Sequence, residues 1–180
     1  MDRHIVQVPG AHMKPVKLSD IAEALDANLM EGSFYLNTST GETILLTSSI
    51  ERFLEEHEDM LSEPTDNIET LKKIAEEELL RWEIGIFEEV IEAGVDALSY
   101  IAPLSSHEQY EIMEEYIDSI EDENVRNLLS VAIEGRGAFR RFKDSLAAID
   151  KLSDYFDFHD HVMHEKAREW CEGGGFSYTV

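Results

Sequence analysis

The sequence is poor in the residues that would staple, break or anchor it. One cysteine, Cys171, stands in 180 residues, which excludes an intramolecular disulfide framework and fits a reducing compartment. Four prolines leave long stretches open to regular secondary structure. No apolar run approaches the roughly 20 residues of a membrane-spanning helix, and the start, MDRHIVQVPGAHMKPVKL, lacks the apolar core of a secretory signal. The sequence therefore predicts a cytoplasmic protein that does not enter membranes. Positive charge is also scarce: 15 Lys and Arg stand against 39 Asp and Glu, for a formal charge of -24 and a pI near 4.4. A field of that sign repels phosphate backbones and anionic lipid from most of the surface, which disfavours general nucleic-acid binding. Solubility is the simplest reason for such acidity; saline adaptation, attraction to basic partners and mimicry of nucleic acid are the others weighed.

What is present is apolar residues at regular spacing, 43% of the chain, which predicts a folded protein despite the charge. One domain over residues 1–180 is expected, with residues 1–15 loosely ordered. VKLSDIAEALDA reads as a helix capped by Ser19, with Ile21, Ala24 and Leu25 at helical spacing. In GSFYLNTSTGETILLTSS, Phe34 and Leu36 alternate, as do Ile44 and Leu46, around a Thr-Ser-Thr-Gly turn: a β-hairpin. Ser48 with Glu51 forms a capping-box pattern before IERFLEEHEDML, a helix expected to stop before Pro64. A second helix starts near Thr65 or Asp66, carries Leu71, Ala75 and Leu79 on one face, and is expected to continue to Val90, with Gly94 at its end. LSYIAPL is expected as a third strand beside the hairpin, held to an edge by Pro103.

Ser106 and Gln109 predict another capping box, ahead of stripes at Ile112, Met113, Tyr116, Ile117 and Ile120 and then at Val125, Leu128, Leu129, Ala132 and Ile133. A helix from Gly137 places Phe139, Phe142, Leu146 and Ile149 inward. A last helix over roughly 153–171 turns Tyr155, Phe156, His159, Val162, Met163, Ala167 and Trp170 to the core, and Gly173–Gly175 ends it. The fold class is α+β, predominantly helical, with a small N-terminal antiparallel β-hairpin sheet and about six helices.

Within this acidic chain GRGAFRRFKD gathers Arg136, Arg140, Arg141 and Lys143 at the start of a helix. Cations in a first turn oppose the helix dipole by ~0.3–1 kcal/mol each, and Arg140 ahead of Asp144 is the weaker order for an ion pair at that spacing. Helix physics alone does not account for them. Two readings follow. Either the chain's own carboxylates neutralise these cations as struts, or Arg136, Gly137, Arg140, Arg141 and Lys143 form an anion- or partner-binding turn, in which guanidinium forks and free backbone N–H groups meet a phosphate or carboxylate.

GRGAFRRFKD, followed by DYFDFHDHVMHEKAREWCEGGGFSY, resembles the uncharacterised bacterial protein family 0158. PVKLSDIAEAL, YLNTSTGETI and YIAPLSSHEQYEIMEEYI resemble it too, whereas residues 50–95 match poorly and read as a divergent helical insert. The chain departs from the family pattern in having Tyr155 or Phe156 where the family commonly shows Trp, and His159 and His161 at places often basic or acidic. The resemblance implies a small cytoplasmic protein of unassigned activity and carries over no catalytic residue.

Other constellations are weaker. Asp157, His161 and Glu165 lie a helical turn apart and present an N/O set suited to a divalent ion, yet the apolar stripe leaves them on the solvent side. A nucleophilic Cys171 would need an activating base and a lowered pKa, and a buried structural cysteine is the favoured reading; the glutamate pairs fall on polar faces. No catalytic residue, metal site or cofactor is assigned. The favoured function is a non-enzymatic binding or regulatory module whose basic turn engages an acidic partner or ligand, a protein partner being favoured, in a chain compatible with homo-oligomer formation. The alternative is a small metal-assisted hydrolase built on carboxylates and the His161 region, and the third reading is an acidic nucleic-acid mimic.

Overall fold

The computed structural model describes residues 5–6, 14–29, 31–61 and 66–180. Nine helices and a small antiparallel sheet are found among the described residues, an α+β and predominantly helical architecture. The described residues form two compact units: residues up to Pro103 together with Ala167–Val180, and Leu104–Lys166.

The first unit opens with β1 (Ile5–Val6), β2 (Val16–Lys17) and helix α1 (Leu18–Asp26). The expected hairpin follows as β3 (Ser33–Asn37) and β4 (Glu42–Leu46), with Tyr35 opposite Ile44. Its turn is closed by Asn37, whose carbonyl accepts the Gly41 N–H at 2.8 Å while its side-chain oxygen accepts the Ser39 N–H at 3.0 Å. Gly41 has φ +75, and a Cβ there would lie 2.8 Å from the Lys14 carbonyl oxygen, so only glycine fits the turn. The third strand, β5 (Leu98–Ile101), pairs with β3, giving the order β4-β3-β5 and placing β5 on an edge just before Pro103, as proline requires. A second sheet has no readable signal in the sequence, because its strands have two residues each. There β6 (Tyr178–Thr179) lies between β1, antiparallel to it, and β2, parallel to it. Within the stretch expected to be loosely ordered, residues 1–4 and 7–13 lie outside the described residues.

Helices α2 (Ser48–Glu56), α3 (Glu58–Leu61), α4 (Asp66–Glu78) and α5 (Glu83–Ala93) pack on the hairpin. Ile44, Leu46, Ile50, Phe53, Leu71, Ala75, Leu79, Phe87 and Val90 form one buried cluster. Each fully buried large side chain contributes about 1.5–3 kcal/mol. The expected continuous helix from Asp66 to Val90 is broken after Glu78. Glu83 causes the break to hold: only 1% exposed, it accepts the Leu80 N–H at 2.9 Å and the Thr47 hydroxyl at 2.5 Å. Thr47 also caps α2, its oxygen accepting the Ile50 N–H at 3.2 Å. The cap thus sits one residue before the expected Ser48, whose hydroxyl instead accepts the Gly32 N–H. Lys17 rather than Ser19 is the N-cap of α1, and its side chain makes no capping hydrogen bond. The expected stop before Pro64 lies outside the described residues.

In the second unit, α6 (Ser106–Ser119), α7 (Glu123–Ala132), α8 (Ala138–Ala148) and the part of α9 (Leu152–Gly174) up to Lys166 surround Met113, Tyr116, Ile117, Leu129, Phe142, Leu146 and Tyr155. Tyr116, Phe142 and Tyr155 meet edge to face, with centroids 4.9–6.3 Å apart, the arrangement the ring quadrupoles favour. The capping box of α6 is Ser105 with Glu108, one residue ahead of the expected pair. Two aromatics expected inside are not: Phe139 is 41% and Phe156 44% exposed. The buried stripe of α8 is Ala138, Phe142 and Leu146, spaced four apart, and Phe139 falls at its margin.

Replacing Glu83 with Ala strips the acceptor from the Leu80 N–H and the Thr47 hydroxyl and is expected to cost about 1–3 kcal/mol, read as a lower urea midpoint. Glu83→Gln, which keeps an acceptor, is expected to retain most of that stability.

Candidate anion- or partner-binding turn

Helix α7 ends at Ala132, leaving carbonyls without intrahelical donors. The chain then reverses through Gly135 (φ +71) and Gly137 (φ +76) and enters α8. These two left-handed residues swing the carbonyls of Ala132, Glu134 and Arg136 toward a common point. Arg141, in the first turn of α8, occupies that point: its Nε donates to the Ala132 carbonyl at 3.1 Å, and its terminal nitrogens donate to the carbonyls of Arg136 and Glu134. The guanidinium therefore stands at the negative end of α7, which offsets the repulsion from the positive end of α8. Gly137 belongs to the same clamp, since a Cβ there would lie 3.3 Å from an Arg141 nitrogen.

The other cations point elsewhere. Arg140, with its side chain 89% exposed, lies 3.7 Å from the exposed Asp144 carboxylate, a contact of at most about 0.5 kcal/mol. Arg136 is exposed and makes no side-chain hydrogen bond or ion pair among the described residues. Lys143 sets its ammonium 5.7 Å from the centre of the exposed Phe156 ring, within cation–π range. The five residues of the turn thus divide: Gly137 and Arg141 build the corner, Arg136 and Arg140 face outward, and Lys143 is drawn to one side. Among the described residues no buried carboxylate holds any of the four cations: Arg140 meets the exposed Asp144, and Arg141 braces the corner through carbonyls. The expectation that Phe139 anchors the helix is also corrected, since Phe142 alone of the pair is buried.

Beside the corner, Leu128, Val131 and Ala132 of α7 face Arg141, Asp144, Ser145 and Ala148 of α8 across a groove of about 470 Å³. Leu128 and Val131 are 47% and 66% exposed. Sequence periodicity missed this, because it assigned Leu128 to the core stripe. It also missed the arginine clamp, which Arg126 repeats by donating to the carbonyls of Ile120 and Glu121 at the end of α6. An arginine a few residues past a helix end, with glycine between, is the signal that would have found the Arg141 clamp.

The histidine region does not converge. His159 is buried beside Tyr155, with its Nε2 3.5 Å from the Gln109 side-chain oxygen, and His164 Nδ1 lies 2.8 Å from the Asp160 carbonyl. Among the described residues no group of three His, Cys, Asp or Glu is placed to hold a metal ion. Cys171 is fully buried, and that burial, with Glu172 nearby, pushes its thiol up to about 12, the opposite of an activated nucleophile. No helix among the described residues is long and apolar enough to cross a membrane.

Arg141→Ala is expected to lower stability by about 1.5–3 kcal/mol, because the corner carbonyls lose a charged donor. Arg140→Ala is expected to stay within about 0.5 kcal/mol of the parent. Thermal melting of the two variants side by side checks both. Cys171 is expected to resist Ellman's reagent at about pH 8 in the native protein and to react fully in urea.

No curated protein and no solved structure matches the chain. A family model described as "Uncharacterised protein family (UPF0158)" matches residues 77–180. That span holds the corner, α9 and β5, and begins within the stretch expected to diverge from the family; the resembling segments PVKLSDIAEAL and YLNTSTGETI lie before it. With more than half of its length matched, including every residue of the GRGAFRRFKD motif, the chain belongs to this uncharacterised family.

Proposed function

We propose that the chain is a non-enzymatic binding or regulatory module that receives an acidic segment of a protein partner at the α7–α8 corner. The observation that carries this reading is the exposure of Arg136 and Arg140 in a chain of net charge -24, with no buried carboxylate on either among the described residues. A field of that sign turns acidic partners away from most of the surface, so a small outward-facing cationic patch selects where one docks. The Arg141 clamp supports the same reading from another side, because it holds the backbone that carries both arginines and reduces the ordering cost of binding. Phe139, 41% exposed between the two arginines in sequence, adds an apolar contact of the kind enriched at interfaces. Arg141 itself, engaged with the turn's carbonyls, is not part of the recognition set. A cytoplasmic setting accords with the single buried thiol of Cys171. No observation favours the hydrolase alternative.

Charge reversal at Arg136 and Arg140 together is expected to abolish retention of a nuclease-resistant protein partner in a native-lysate pull-down while leaving the melting temperature unchanged. Retention of the same proteins by the parent and by Arg136→Glu/Arg140→Glu overturns the reading. Arg141 must stay intact in this test, since its loss would confuse unfolding with loss of contact.

A further inference from the structure

The glycine run at the end of α9 does more than stop a helix. Gly175 takes the left-handed conformation at φ +72, and the Phe176 N–H then returns to the Cys171 carbonyl at 2.7 Å. This folds the Phe176 ring back against the helix end. A Cβ on Gly174 would lie 2.4 Å from that ring, so the close approach depends on a residue without a side chain. In this position Phe176 packs on Trp170, with centroids 5.1 Å apart and planes inclined by 31°.

The two rings, with Gly173 and Gly174, form one side of a hollow of about 500 Å³ that is also lined by Ser99, Tyr100 and Glu169. Tyr100 lies on the edge strand β5, is 51% exposed and packs on Tyr35 with centroids 5.4 Å apart. Glu169 is exposed and pairs with no cation among the described residues. Among the described residues the hollow thus combines three aromatic rings with one charged group, the Glu169 carboxylate.

We propose that this hollow is a binding site for a small alkylammonium cation of the quaternary or methylated amine class, with Trp170, Phe176 and Tyr100 supplying ring surface and Glu169 the counter-charge. Such cations spread their charge over methyl groups, are weakly hydrated, and in the quaternary case have no N–H to donate. Recognition therefore falls to the negative faces of aromatic rings and a nearby anion. Anionic ligands find no positive group among the described lining residues and are repelled by Glu169. The negative field of the chain raises the local concentration of any small cation around it. The site lies in the unit other than the one that carries the α7–α8 corner and does not depend on it.

The test uses the full chain with Trp82→Phe, a tolerated change at a side chain 60% exposed, so that Trp170 is the sole indole fluorophore. Choline is the probe. A saturable change in Trp170 fluorescence is expected, with no comparable response to the neutral tert-butyl analogue in which carbon replaces the ammonium nitrogen. Tyr100→Ala is expected to weaken the half-saturation by about two- to fivefold, the scale of one exposed cation–π contact. Glu169→Gln, at an exposed position where folding is not at risk, is expected to weaken it as well. Absence of a saturable response to choline overturns the site, and equal binding of the neutral analogue overturns its assignment to a cation.

Discussion

A helix that ends against another element leaves carbonyl oxygens that need donors, and at the end of α7 the backbone that follows reaches the Leu129 and Val131 carbonyls while that of Ala132 is met by a side chain. Arg141 answers that need. Its planar fork meets the carbonyls of Ala132, Glu134 and Arg136 at once, which an ammonium on a flexible stem would do with less geometric fit. The two left-handed glycines are the other half of the same device, because they bring the three oxygens within reach. With the corner set, Phe142 enters the ring cluster formed with Tyr116 and Tyr155, and the packing of the helical unit follows. The cation that looked misplaced at the positive end of one helix stands at the negative end of the one before it.

Period and turn chemistry made much of the fold readable. The hairpin, the edge strand before Pro103 and the stripes of α6 and α8 follow from alternation, proline and the four-residue spacing of buried positions. The errors have local causes. Cap positions slipped by a residue at Thr47 and Ser105 because neighbouring hydroxyl residues offer equally good patterns, and only the backbone path decides between them. The break between α4 and α5 was hidden because Glu83 looks like any surface glutamate until a hydroxyl from another helix's cap is brought to it. Phe139 and Phe156 satisfied helical spacing yet lie outside, since the margin of a stripe is not resolved by composition. Of the candidate site, the sequence made the cations and the glycines visible, but the division between clamp and outward-facing charge depends on where three carbonyls point.

The two recognition features differ in sign and in origin. The corner offers positive charge over a groove edged by Leu128 and Val131; the aromatic hollow offers ring surface with a single carboxylate. Both arise beside glycines that permit a close approach, Gly137 under the Arg141 guanidinium and Gly174 under the Phe176 ring. In each place a missing side chain decides where a large one settles, which links the glycine pattern of this chain to its surface chemistry rather than to flexibility.

The short strand β6 carries a consequence for biosynthesis. Its Thr179 hydroxyl bonds the Val16 carbonyl 163 residues away, and its backbone joins β1 to β2. Closing a loop of that length costs on the order of 4 kcal/mol in chain entropy, and it cannot happen on the ribosome before β6 emerges. The contiguous stretch from Leu104 to Lys166, whose ring cluster needs no distant partner, is free to condense during translation, whereas the first and last segments must wait for each other.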